Sequence, residues 1–390
     1  MGRAVRATPG QREATGPTAG GAGSGGVGGA GSGAGGAGSG VASAGSGGPR
    51  RLPETAAVLE VRRAVRAWAG EYLAQGASVA VGLSGGADSL ALTAAAVVEL
   101  GHVDALIVDH RLQESSGQVA ADAAAAALAL GCRSAHVLAV DVGSEGGLEA
   151  AARTARYAAL DAARHGAPVL LGHTLDDQAE TVLLGLARGS GGRSIQGMAA
   201  YAAPWGRPLL GVRRVTTRQM CADLGRAPHE DPHNLSPEFT RVRLRTQALP
   251  LLEDVLGGGV AAALARTAEQ LREDGALLDV LADELLEAAK VPGRAADGPG
   301  GVDDEVALSI EMLATAPAAL RRRAIRSWLL HGGAKALTDK HLRAVDALVT
   351  AWRGQGGVAV GGGTPDTRLV AAREHGRLTL REHDRCLRSD

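Results

Sequence analysis

Three short segments hold residues whose types and spacing suit chemistry. Ser84-Gly85-Gly86-Ala87-Asp88-Ser89 sets two glycines between hydroxyl side chains and places an acid near its end. Glycines let backbone N–H groups approach an anion closely, and a helix that starts there adds partial positive charge. Ser84 and Ser89 add hydroxyl donors. Asp88 suits a phosphate site only if a cation sits between them, which gives it a Mg²⁺-binding role. The run lacks the Gly-Lys-Ser/Thr ending of a P-loop and the Gly-x-Gly-x-x-Gly spacing of a dinucleotide fingerprint.

The second segment is His173-Thr174-Leu175-Asp176-Asp177-Gln178-Ala179-Glu180-Thr181. Asp176 and Glu180 are four residues apart, and Asp177 and Glu180 three, so their carboxylates share one helical face. An acid in a first helical turn is favourable, which accounts for one of them better than for three. Like charges this close require a cation between them, either Mg²⁺ or a substrate ammonium. The third segment, Val108-Asp109-His110-Arg111-Leu112, closes a short apolar run. Glu149, Arg153, Arg156 and Tyr157 also share a helix face. A surface ion pair there contributes only about 0.3–0.5 kcal/mol and alone decides nothing.

Strands and helices must carry these segments. Residues 54–75 have a helical period, with Val58, Val61, Val65, Trp68 and Tyr72 spaced by three and four. Apolar runs at 78–83, 104–109, 135–140 and 168–172 predict buried strands, and 209–212 a fifth. Helices are predicted at 90–100, 117–130, 148–165 and 177–188. This alternation implies an α/β fold, a doubly wound parallel sheet with right-handed crossovers. Ligands of such sheets bind beyond the carboxyl ends of the strands, where all three segments fall. After about residue 250 the alternation stops. Two helices are expected across 251–290, a loop at 291–301, and helices at 307–331 and 338–352. Short strands follow at 358–360 and 368–381. The expected organisation is a disordered Gly/Ala/Ser-rich tail at 1–53, a catalytic domain at 54–250, and a smaller, mainly helical domain at 251–390.

Composition narrows the function classes. The formal charge is −1, so any nucleic-acid site must be a local patch. The three cysteines, Cys132, Cys221 and Cys386, are far apart, which argues against a disulfide framework and a zinc or iron–sulfur site. No apolar run reaches a membrane-spanning length, and the start lacks the apolar stretch of a secretory signal. A cytoplasmic chain without membrane partners is expected.

Ser-Gly-Gly-x-Asp-Ser resembles the PP-loop of the N-type ATP pyrophosphatases. That superfamily cleaves ATP between the α and β phosphates and transfers AMP to an oxygen. Val108 to Leu112 is similar to the Val-Asp-His-x-Leu signature of its lysidine synthase family. His173 to Thr181 matches that family's His-x-x-Asp-Asp-Gln-x-Glu-Thr pattern in full, and Glu149 to Tyr157 its Glu-x-x-x-Arg-x-x-Arg-Tyr. Arg207-Pro208-Leu209-Leu210, Glu230 to Asn234, Arg241 to Arg245 and Leu249-Pro250 follow in the family's order. Val242 departs from the pattern, standing where many relatives carry Asn.

The resemblance implies an adenine nucleotide alpha hydrolase-like fold, with ATP bound by Ser84, Gly85, Gly86, Ala87, Asp88, Ser89, Asp109 and His110. Asp88 is implied as the Mg²⁺ residue and, with His173, Asp177 and Glu180, as catalytic. Asp177 and Glu180 are also the candidates for holding L-lysine. His173 either donates to a phosphate oxygen or only caps its helix. The implied partner is the isoleucine tRNA with a CAU anticodon, and homodimers are common for this architecture. Residues 201–250 hold eight Arg and no Lys against four acids. Arg suits phosphate oxygens and guanine edges. Arg241, Arg243 and Arg245, with Arg322 and Arg326 of the second domain, are the candidate tRNA contacts. Rival readings are a tRNA thiolase, which needs reactive cysteines or an iron–sulfur cluster, and a non-catalytic RNA-binding protein.

Overall fold

The computed structural model describes residues 41–43, 51–111, 115–143, 147–189, 191–230, 236, 238–292 and 306–384. Leu112, residues 231–234, Cys386, the Glu149 side chain and most of the 1–53 tail lie outside the described residues.

The first sheet has seven strands: β1 (Val41–Ser43), β2 (Val79–Gly82), β3 (Val103–Asp109), β4 (Ser134–Ala139), β5 (Val169–Leu171), β6 (Tyr201–Ala202) and β7 (Trp205–Gly206), in the order β1-β4-β3-β2-β5-β7-β6. β4, β3, β2, β5 and β7 run parallel, while β1 and β6 are antiparallel edges. β1 lies within the segment expected to be disordered. The expected strand at 209–212 is instead a turn whose Leu209 and Val212 are buried, and β6 and β7 take its place in the sheet. An apolar run that short supports a buried turn as well as a strand.

Helices cover both faces: α1 (Ala56–Tyr72), α2 (Ala87–Leu100), α3 (Ser116–Leu130), α4 (Leu148–Ala163), α5 (Leu175–Arg188) and α6 (Arg214–Asp223). The periodic residues of α1, namely Val58, Val61, Val65 and Trp68, are buried in the core between α1, α2 and the sheet. Full burial of each Val contributes about 1.5–3 kcal/mol. With so few aromatic residues, most of this core is Val, Leu and Ala.

Strand order reverses between β2 and β5, with Val81 opposite Leu170 and Gly82 opposite Leu171. A crevice opens at such a switch point beyond the strand ends. Ser84–Ser89 follows β2 into α2, and His173 follows β5 into α5. The two segments touch where β5 ends. A Cβ on Gly172 would sit 3.0 Å from the Asp88 carbonyl carbon and the Ser89 nitrogen, so only glycine fits there unstrained.

The short helix α7 (Thr240–Arg243) continues through a π turn at Leu244–Ala248 into α8 (Leu249–Val255). Then α9 (Val260–Ala289), about 45 Å long at 1.5 Å per residue, packs its first half on α5 through Ala261 and Ala179. Its last turns enter a second core. That core lies between helices α10 (Ile310–Thr315), α11 (Ala318–His331) and α12 (Asp339–Thr350) and an antiparallel sheet. The sheet's strands are β8 (Lys290–Pro292), β9 (Val306–Ser309), β10 (Val358–Val360), β11 (Thr367–Glu374) and β12 (Arg377–Asp384), ordered β10-β11-β12-β9-β8. The expected loop at 291 and helix at 307 thus begin as paired strands. Among the described residues, no single helix is long and apolar enough to cross a membrane.

Candidate active site at the sheet switch point

The loop after β2 is tied down by its own side chains. Gly85 takes φ +83, a left-handed conformation that strains residues with a Cβ. The Ser89 hydroxyl accepts from the Ser84 amide at 3.2 Å and donates to the Gly86 carbonyl at 3.0 Å. The His229 amide donates to the Gly85 carbonyl at 2.9 Å, so the chain beyond α6 braces the turn. Asp88 stands in the first turn of α2. Its carboxylate accepts from the Thr217 hydroxyl and, at 3.4 Å, from Arg214 Nε. Burial holds its pKa above the ordinary carboxylate range despite those donors.

The second segment starts α5 with a capping box. The Thr174 hydroxyl caps the helix, and Asp177 Oδ2 accepts from the Thr174 amide and hydroxyl, each at 2.8 Å. Helix capping therefore belongs to Thr174 and not to His173. The His173 Nδ1 is buried without a hydrogen-bond partner, and burial pushes its pKa down to about 4. His110 Nδ1, Arg156 Nε and Arg207 Nε are also buried and unpartnered. Burial lowers the pKa of both His110 and Arg156. Buried polar atoms are normally satisfied, so four unpartnered nitrogens mark polar ground suited to an anionic or carbonyl-bearing ligand. Asp109, at the end of β3, accepts from the Arg111 amide at 2.9 Å.

Arginines lie against the α5 acids. Arg214 places Nη2 2.5 Å from Asp177 Oδ1 and Nη1 3.3 Å from Glu180 Oε1. Its backbone amide donates to Asp176 Oδ2 at 2.8 Å. Arg213 pairs with Asp176 at 3.1 Å. Arg245 reaches Glu180, which is fully buried, at 2.8 and 3.2 Å. The surrounding carboxylates raise the Arg214 pKa, and Arg214 lowers that of Asp177 against the effect of burial. A cavity of about 220 Å³ opens beside the cluster, lined by Asp176, Glu180, Arg213, Arg214 and Arg245 with Leu249 and Glu253.

Arg245 thus lies in the acid cluster, apart from the exposed Arg243 and half-buried Arg241. Val242 is buried. In α11, Arg322 and Arg326 are partly exposed. The neighbouring Arg321 is buried against Asp346 at 2.6 Å, so the basic run is in part structural. Arg213 and Arg214 were the residues missed in the sequence. Their only signal was a pair of arginines at a helix start, where the dipole disfavours cations.

Burial pushes the Cys132 thiol up to about 12 and the Cys221 thiol to about 11. Both stay protonated at neutral pH and make poor sulfur nucleophiles. Among the described residues, no group of three or more His, Cys, Asp or Glu could hold a metal ion.

Residues 59–252 match a family model described as the PP-loop domain, and residues 308–379 match the TilS substrate binding domain. A tRNA(Ile)-lysidine synthase of Nocardia farcinica (strain IFM 10152) is 72% identical over 326 residues, 83% of this chain and 98% of that protein. The chain belongs to the tRNA(Ile)-lysidine synthase family. Another tRNA(Ile)-lysidine synthase, of Mycobacterium tuberculosis (strain ATCC 25618 / H37Rv), is 57% identical over 326 residues, 84% of this chain and 98% of that protein. A solved U34-tRNA thiolase NcsA from Methanococcus maripaludis covers 56% of this chain and 80% of its own, at 18% identity and a TM-score of 0.47. The matches assign a PP-loop domain to residues 59–252 and a substrate binding domain to residues 308–379, within the second core.

Proposed function

We propose that this chain joins L-lysine to C2 of the wobble cytidine in the CAU-anticodon isoleucine tRNA, using ATP and releasing AMP and diphosphate. The product, lysidine, switches decoding from AUG to AUA. One juxtaposition carries the reading: in a chain of this family, an anion-cradling glycine turn and a cluster of acids meet at one sheet edge.

A cytosine C2 oxygen is a poor leaving group. In the first step it attacks the α phosphorus of ATP, an oxygen–phosphorus bond forms, and diphosphate departs with the electron pair. In the second, the lysine amine attacks C2 and the C2–oxygen bond breaks, so AMP leaves with the base oxygen. The amides of Ser84–Ser89 hold the phosphates, while Asp109 and His110 flank the nucleoside. His173, neutral at pH 7, donates a hydrogen bond to a phosphate oxygen. Asp177 and Glu180 hold the lysine ammonium and steer the attacking amine.

Asp88 fits a Mg²⁺ ion. It offers one partly accessible carboxylate, and Mg²⁺ commonly takes one or two carboxylates and completes its shell with phosphate oxygens and waters. Asp88 would hold such an ion, which would supply positive charge against that on the departing diphosphate. The target base must leave its stack, and anticodon loops already present splayed bases.

The test follows labelled lysine into tRNA alongside diphosphate release. Lysine should enter the RNA one for one with diphosphate. Asp88→Ala should lower adenylation by roughly 10²–10³-fold while tRNA binding is kept. Diphosphate release that depends on another amine or on a sulfur donor rejects the assignment.

A further inference from the structure

Among the described residues, Arg214 is the one side chain that reaches both halves of the site. Its Nε lies 3.4 Å from Asp88 on the phosphate loop, and Nη2 and Nη1 lie 2.5 and 3.3 Å from Asp177 and Glu180 on α5. The side chain is only 14% exposed, so it is not a loosely held surface group. Arg245 pairs with Asp177 and Glu180, and Arg213 with Asp176.

Every carboxylate oxygen of Asp177 and Glu180 already has a donor. Asp177 Oδ2 is filled by the Thr174 amide and hydroxyl, and Oδ1 by Arg214. Glu180 Oε1 carries Arg214 and Arg245, and Oε2 carries Arg245. An incoming ammonium therefore competes with these guanidinium groups for the carboxylates. A cation brought to Asp88 with a nucleotide meets the same guanidinium from the other side. Like charges cannot share the carboxylates without repulsion on the order of 4 kcal/mol at about 4 Å in a partly screened site.

We infer that Arg214 is a resident counter-ion that both ligands must displace, and that it thereby couples nucleotide binding to amine binding. Whichever ligand arrives first bears the cost of withdrawing Arg214, and the second binds without that cost. Such coupling is positive and reciprocal. With no ligand bound, the same contacts hold three carboxylates together. Arg214 is accordingly a positioning residue that acts through Asp88, Asp177 and Glu180. This inference rests on the proposed reading that the α5 acids receive the lysine ammonium.

Calorimetry on the full chain tests it. L-lysine is titrated in with and without Mg²⁺ and an α,β-methylene ATP analogue, which cannot be cleaved at that bond. The wild type should bind lysine at least about 5-fold more tightly with the nucleotide, within the usual range of such couplings, and should show the same factor for nucleotide with lysine. In Arg214→Gln the two affinities should become independent to within about 2-fold. Arg214→Lys covers the case in which the neutral variant fails to fold. A lysine point charge can pair with one acid but cannot span Asp88 and Glu180 as a guanidinium fork does. It should therefore keep the thermal midpoint near wild type and lose the coupling in the same way. Wild-type affinities that ignore each other, or full coupling in Arg214→Lys, overturn the inference while leaving the amine site standing. Failure of the wild type to bind lysine in any state removes the amine site and the inference together.

Discussion

His173 shows how one buried group sets a pH limit. Its folded-state pKa, about 4, lies below the ordinary value of 6.5, chiefly through burial. Between those values the unfolded chain binds a proton that the folded chain refuses, so stability rises with pH. The contribution is complete above about pH 6.5 and is lost as pH falls toward 4. The thermal midpoint should drop by several degrees across that window, and His173→Asn should flatten the drop. A variant whose midpoint falls as steeply as wild type would assign the acid sensitivity in that window to groups other than His173. The residues of the phosphate loop and the acid helix were legible because each lies within one short segment. Arg214 was not legible, because it meets Asp177 across a sequence separation of 37, only after the chain between them has folded through β6, β7 and the turn before α6.

At the scale of elements, the first sheet was legible from alternating period and apolar runs, because parallel strands buried on both faces read as continuous hydrophobic stretches. The failures have a shared cause. β6 and β7 are two residues each, too short to show any period. β8 and β9 are brief edge pairs that reveal themselves only through their partners. The π turn that carries Arg245 interrupts a helix with no proline or glycine inside it to announce the change. The junction of β5 with α2 yields a test. Gly172→Ala would push a methyl against the Asp88 and Ser89 backbone at 3.0 Å, shifting the first turn of α2 by a few tenths of an ångström. Overpacking of this kind costs about 1–3 kcal/mol. The variant should melt several degrees lower and show a several-fold higher KM for ATP, measured by denaturation and steady-state kinetics. Unchanged values for both would mean that the strand end does not set the loop.

At the scale of the molecule, α9 joins the two cores, and Asp279 on it takes Arg193 from the first and Arg323 from the second at once. The nucleotide edge and the α11 arginines are therefore held in one framework. Binding of tRNA across it should weaken steeply with salt, since each neutralised phosphate releases counter-ions. Arg326→Ala should weaken binding and reduce the slope of log affinity against log salt by about 1 if Arg326 contacts one phosphate, as a filter-binding series can show. A loss of affinity with an unchanged slope would remove it from the phosphate contacts. The account as a whole turns on where the base oxygen goes. The decisive measurement uses tRNA carrying ¹⁸O at C2 of the wobble cytidine, with ATP, lysine and the complete chain, followed by mass spectrometry of the products. The account predicts one ¹⁸O in AMP for each lysine joined; ¹⁸O that stays in the RNA or appears in water or diphosphate would contradict it.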